Sequence, residues 1–176
     1  MDKLLDTVLI QQIANIALQA VAIEWKAQGH NLTGNAIQQL ETKILQTGDG
    51  VLVLGYVTDY MANINAGVPA SRIPYSPGSG ARSSQYISGL IDYVKKRMGK
   101  SQREAQSIAF AIASRHKKEG MPSKASARFS SSGKRTGFIE AALDGVEPKL
   151  AALIERGIEE SIIFVIESFF KTQIGR

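Results

Sequence analysis

The sequence predicts an α+β fold, rich in helix, in which long N- and C-terminal amphipathic helices pack with a small antiparallel sheet. Three observations carry this reading. Leu4, Leu5, Val8, Leu9, Ile13, Ile16, Ala17, Ala20, Val21 and Ile23 recur at three- and four-residue intervals near the start. Leu150, Ile154, Ile158, Ile162, Ile166 and Phe170 repeat every four residues near the end. Between them, VLVLGYV at 51–57 is short, β-branched and bounded by turn residues.

The first helix extends over about six turns and ends before Gly29. HNLTGN at 30–35 is a turn in which Thr33 or Asn35 can cap the segment that follows. That segment, IQQLETKIL, fits a helix, but it also fits a strand that pairs with 51–57 across TGDG, and the sheet depends on the second option. Pro69, Pro74 and Pro77, together with Gly67, Gly78 and Gly80, predict a long loop at 65–84 without regular structure. Tyr86, Ile87, Leu90, Ile91, Val94 and Met98 then form a helical stripe that Gly99 stops, with Lys95, Lys96 and Arg97 placed to suit the helix dipole.

Ser101 and Glu104 form an S-x-x-E capping box before the next helix, which Gly120 and Pro122 close. A Ser-rich basic arm at 119–136 follows, and Thr136 is placed to cap a short segment, FIEAALDG. Pro148 fits the first turn of a separate final helix.

A chain of 176 residues predicts a single domain spanning 1–176, with the loop and the arm as its candidate contact regions. The absence of cysteine removes disulfides, thiolate metal sites and cysteine nucleophiles. Asp2 and Asp6 stand where a signal peptide needs positive charge, and no stretch reaches about 18 uninterrupted apolar residues, so a soluble protein with no membrane partner is expected. Charge is segregated. From Arg72 to Arg135, fourteen Lys and Arg stand against Asp92, Glu104 and Glu119, a balance of +11 that leaves −6 elsewhere. Opposite charge in different parts of one chain suits head-to-tail contacts between copies.

Catalysis has little to stand on, so no enzyme and no cofactor are expected. The two histidines, His30 and His116, lie in no metal-ligand or triad spacing, and G-x-S-x-G is absent. SSSGKRT resembles a nucleotide loop only in part, because Arg128 occupies the position of the required upstream glycine. The competing reading is a basic nucleic-acid-binding protein, in which Phe129 and Phe138 among the cations stack bases; no DNA- or RNA-reading motif accompanies them.

LTGN at 32–35 together with VLGYVTDYMANINAG at 53–67 resembles the neck and tail-completion (head-tail connector) proteins of tailed bacteriophages. The block ISGLIDYVKKRMGKSQREAQSIAFAIASRHKKEGMPSKASARFSSSGKRTGFIEAAL at 87–143 is similar to virion proteins of crAss-like phages. The resemblance implies a small, non-enzymatic α+β subunit that forms a homo-oligomeric ring between portal or adaptor and tail proteins. It also implies location in the virion neck or tail, with the host cytoplasm as the place of assembly, and passive contact with genomic DNA. Arg72, Arg82, Lys117, Lys118, Lys124, Arg128, Phe129, Lys134 and Arg135, on the loop, the helix end and the arm, are then the expected subunit-interface residues.

Overall fold

The structure is a computed structural model that describes residues 6–47, 50–78 and 84–174, with the backbone alone for Thr47 and for 165–174. Its helices are α1 (Thr7–Ala27), α2 (Asn35–Gln38), α3 (Asp59–Ala66), α4 (Gln85–Met98), α5 (Gln102–Glu119) and α6 (Phe138–Ile174). The strands β1 (Glu41–Thr47) and β2 (Gly50–Tyr56) form a two-stranded antiparallel sheet, and 3₁₀ turns occupy Ala70–Arg72 and Lys124–Phe129. The fold is α+β and helix-rich, as the sequence predicts.

The chain divides into two compact units. One comprises Met1–Glu24, Gln39–Val57 and Ile139–Arg176, and the other Trp25–Gln38 and Thr58–Phe138. This division nearly coincides with the charge segregation: the first unit carries −6 and the second +11. They are called here the acidic and the basic unit.

In the acidic unit, β1 and β2 pair from Glu41 with Tyr56 to Thr47 with Gly50. The ambiguous IQQLETKIL therefore splits into the last residues of a helical turn and a strand. Only the strand option gives the β-branched run at 51–57 a ladder for its N–H and C=O groups. Helix α1 buries Ile10, Ala14 and Val21 on one stripe, while Gln11 Nε2 donates to Asn15 Oδ1 at 3.1 Å on an exposed polar face. Among the described residues, α1 is the one helix long and apolar enough, by length and composition, to cross a membrane. Its amide-rich face breaks the uninterrupted apolar run that the sequence criterion required, but the average tolerates it.

One expectation is corrected by α6, which runs unbroken from Phe138 through Pro148 to Ile174 instead of starting afresh at the proline. Proline removes one backbone donor and crowds the carbonyl four residues earlier, that of Asp144. Asp144 and Pro148 are both exposed, so this carbonyl lies on the solvent side of the helix, where water can satisfy it. Much apolar surface of the unit stays uncovered: Ile162, Ile163 and Phe164 are each more than half exposed, and Val8, Leu52 and Ile154 are exposed as well.

In the basic unit, α4 and α5 are joined by only three residues, 99–101. Gly99 takes the left-handed conformation that ends α4, and Ser101 caps α5. Glu104 N–H donates to Ser101 Oγ at 3.5 Å, and Ser101 N–H donates to Glu104 Oε2 at 3.1 Å, completing the capping box. Ala105, Ala109 and Ala113 are fully buried on α5, as are Ile87 and Val94 on α4; small side chains on one partner let two helices approach closely.

Helix α3 is not foreseen in the sequence, which assigns no element between the strand at 51–57 and the loop from 65. Thr58 starts it by accepting from Met61 N–H at 3.2 Å, and Met61 and Ile64 are its buried face. The described start of loop 65–84 is also less irregular than its composition suggests. Pro69, with φ at −65°, leads into the 3₁₀ turn, and Val68 forms a β-bridge with Met121.

Candidate functional site

The basic arm leaves α5 at Gly120 and is tied at once to the loop. Val68 N–H donates to Met121 O at 2.7 Å and Met121 N–H to Val68 O at 2.8 Å. At the far end, Gly137 N–H donates to Asn65 O at 2.9 Å. The described start of the loop, at Asn65 and Val68, is thus tied to both ends of the arm. Between these anchors, Glu119 Oε2 accepts from Lys124 N–H at 3.0 Å and starts the 3₁₀ turn. The arm then folds back on the end of α1, where Ala27 O accepts from Ser131 N–H at 2.9 Å and from Ser131 Oγ at 3.2 Å.

Gly29 makes this docking possible. Its φ is +72°, and a Cβ placed there would lie 2.0 Å from the carbonyl oxygen of Phe129. Only glycine admits both the left-handed backbone and the approaching carbonyl. The arm is therefore a folded, hydrogen-bonded segment, which replaces the flexible arm that its Ser, Gly and Lys content suggests.

Beneath the arm lies an aromatic core. Trp25 stacks at a tilt on His30, with centroids 4.7 Å apart, and meets Phe138 edge-on at 5.0 Å. A chain of hydrogen bonds threads this core. Fully buried Gln28 donates from Nε2 to Thr136 O at 3.3 Å, and its Oε1 accepts from His30 Nε2 at 3.3 Å. The amide oxygen can only accept, so the imidazole proton sits on Nε2 and Nδ1 is free to accept from Arg135 Nη2 at 3.4 Å. Arg135 Nη1 in turn donates to Ser126 O at 3.5 Å, tying the far end of the arm to its 3₁₀ turn.

Burial first, and the Arg135 charge second, lower the His30 pKa from 6.5 to about 4. The unfolded chain takes up this proton near pH 6.5 and the folded chain only near pH 4, so the unfolded state binds more protons in between. The stabilisation is complete above pH 6.5 and is lost as pH falls toward 4. For a partly exposed ring we expect a loss of about 1–2 kcal/mol, below the roughly 3 kcal/mol that full linkage would give. Urea denaturation at pH 7 and pH 4.5 measures it, and His30→Gln should flatten the dependence. His116, lowered by burial and hydrogen-bonded through Nδ1 to the Tyr86 hydroxyl at 2.7 Å, adds in the same direction.

Arg135, Arg128 and Arg97 gather around one ring. Their guanidinium carbons lie 5.9, 4.9 and 5.7 Å from the Phe129 centroid. Arg97 comes from the end of α4 and reaches Asn31 O at 3.5 Å. Among the described residues none of the three forms an ion pair; the pairs present are Lys100–Glu104, Arg115–Glu119 and Arg156–Glu160. Burial first, and the Arg97 charge with it, push the Arg135 pKa below the usual guanidinium value, while Tyr93 and Tyr60 act in the opposite direction. The Arg135 Nε–H is buried without an acceptor.

Of the residues predicted from sequence, the structure unites Arg128, Phe129 and Arg135. Lys117 and Arg72 belong to a second neighbourhood, in which Lys117 Nζ donates to Ile73 O at 3.2 Å beside the exposed Arg72. Lys118, Lys124 and Lys134 are exposed, and Arg82 lies outside the described residues. Sequence reasoning missed Arg97, Gln28 and His30 as members of the site. The run Lys95-Lys96-Arg97 had a sufficient local explanation in the helix dipole, so nothing flagged its third member. Phe129, read as a base-stacking ring, is instead surrounded by guanidiniums. Among known proteins, the chain matches no family model, no curated protein and no solved structure.

Proposed function

We propose that this chain is a structural virion protein of a tailed phage: a ring-forming neck or tail-completion subunit that joins the capsid portal to the tail. The observation that carries the reading is the joint partition of charge and apolar surface. The acidic unit, at −6, exposes Glu155, Glu159 and Glu160 beside Ile162, Ile163 and Phe164 on α6, whereas the basic unit carries +11. Two copies meeting through the same face would oppose like charges; an acidic unit meeting a neighbour's basic unit relieves both. Contacts of this heterologous kind close into rings when the rotation permits.

The resemblance of 32–35, 53–67 and 87–143 to neck and connector proteins supports a ring in the virion, with the portal or adaptor and tail proteins as its neighbours. A structural role is also consistent with the histidines, since each has a ring nitrogen engaged and burial lowers the pKa of both. A second reading, a basic nucleic-acid-binding protein, draws on the three guanidiniums, which form no ion pair among the described residues.

Light scattering after size exclusion, with negative-stain imaging of the same fractions, tests the ring. The expected result is a single oligomer of ring-shaped particles that dissociates as salt rises. Lys118→Glu, Lys124→Glu and Lys134→Glu together, all at exposed positions, should yield folded monomer. A monodisperse wild-type monomer, in a protein also absent from purified virions, would overturn the proposal.

A further inference from the structure

We infer that Arg97, Arg128 and Arg135 around Phe129 form an oxyanion site for phosphate groups, which grips the phosphodiester backbone of nucleic acid without reading its bases. Guanidiniums held together repel one another, and folded chains ordinarily offset this with carboxylates. Among the described residues no carboxylate pairs with any of the three, although Lys100 and Arg115 on the same unit have such partners.

The cluster is also held in place. Arg135 is fixed through His30 and Gln28 to Thr136 O, Arg97 is tethered to Asn31 O, and Arg128 lies 4.9 Å from the ring centroid. A neutral imidazole behind Arg135 orients it without cancelling its charge, because His30 Nδ1 accepts while the pKa stays near 4. Guanidinium geometry offers several donors to one anion, and three of them exceed what a single carboxylate with two oxygens can take in bidentate pairs. A phosphate group offers more acceptor oxygens, and successive phosphates along a strand occupy more than one arginine. The exposed Ser131, Ser132 and Lys134 follow Phe129 directly in the arm and extend the donor surface. Because guanidiniums crowd Phe129, its face is not available to stack a base, so recognition falls on the backbone. This inference is independent of ring formation.

The test uses the full chain and a labelled mixed-sequence duplex of about 20 base pairs, followed by fluorescence anisotropy across a salt series. Arg97→Gln with Arg128→Gln, both exposed, should weaken binding about tenfold or more at low salt and lower the salt slope by about two. Arg72→Gln with Lys118→Gln removes the same charge away from the cluster and should cost less than about threefold. A second duplex of unrelated sequence should bind equally, and inorganic phosphate should compete with both. Equal losses in the two double variants, or no duplex binding at low salt, would overturn the site. A peptide spanning Ala152–Phe164 is the rival probe: its capture by wild type but not by Arg97→Gln with Arg128→Gln, with no duplex bound, would assign the cluster to a carboxylate of a second copy. Particle size of the same variants, measured in parallel, keeps failure of this site distinct from failure of the ring.

Discussion

Gly29→Ala is expected to destabilise the protein by about 3–5 kcal/mol, with the basic arm released from the end of α1. Two costs combine. A non-glycine residue held in the left-handed region, at the φ of +72°, costs roughly 1–2 kcal/mol. The new methyl would also lie 2.0 Å from the Phe129 carbonyl oxygen, and that oxygen belongs to backbone with no flexible end to swing away. The arm must therefore move, losing the Ser131 bonds to Ala27 O, at about 1 kcal/mol each, and the hold on Arg135. Gly133→Ala is the matched control. Its φ is +74°, but a Cβ there meets nothing within 4 Å, so only the conformational cost of about 1–2 kcal/mol should appear. Urea denaturation followed by the fluorescence of Trp25, the single tryptophan, separates the two. Equal midpoints for both variants would mean that the arm's docking contributes little.

The difference between these two glycines also shows what could be read in the sequence. Local signals were sufficient wherever the cause is local: the apolar stripes of α1 and α4, the Ser101–Glu104 box, Gly99 in the left-handed region, and a hairpin across TGDG. They failed where the deciding partner is remote. Gly29 and Gly133 look alike in sequence, and only the fold brings a carbonyl 100 residues away against the first. Gln28 and His30 carry no motif, and their role exists only because Thr136 and Arg135 reach them. Arg97 joined the cluster through tertiary packing, which no helix-end rule encodes. Pro148 misled in the opposite sense: a strong local rule was set aside by a helix whose freed carbonyl lies toward water.

Phe138→Ala is expected to cost about 3–5 kcal/mol, as large deletions in a closed core do, and to affect the arginine cluster as well as stability. Phe138 is fully buried and supports Trp25 edge-on at 5.0 Å, while its ring lies 6.2 Å from that of His30. The cavity left behind would sit beside the buried, unpartnered Trp25 Nε1–H, a polar group for which entering water is favourable. Emission from the single tryptophan should then shift to the red even in the folded state, and quench more readily. Water in the same place competes for His30, so its pKa should rise from about 4 toward the ordinary value, narrowing the acid window in which the protein loses stability. Phe138→Leu keeps more of the volume and should retain both the blue-shifted emission and most of the stability. If the alanine variant instead keeps the native emission and pH profile while losing stability, then Phe138 acts only by filling space, and the Gln28–His30–Arg135 chain is held from the arm side alone.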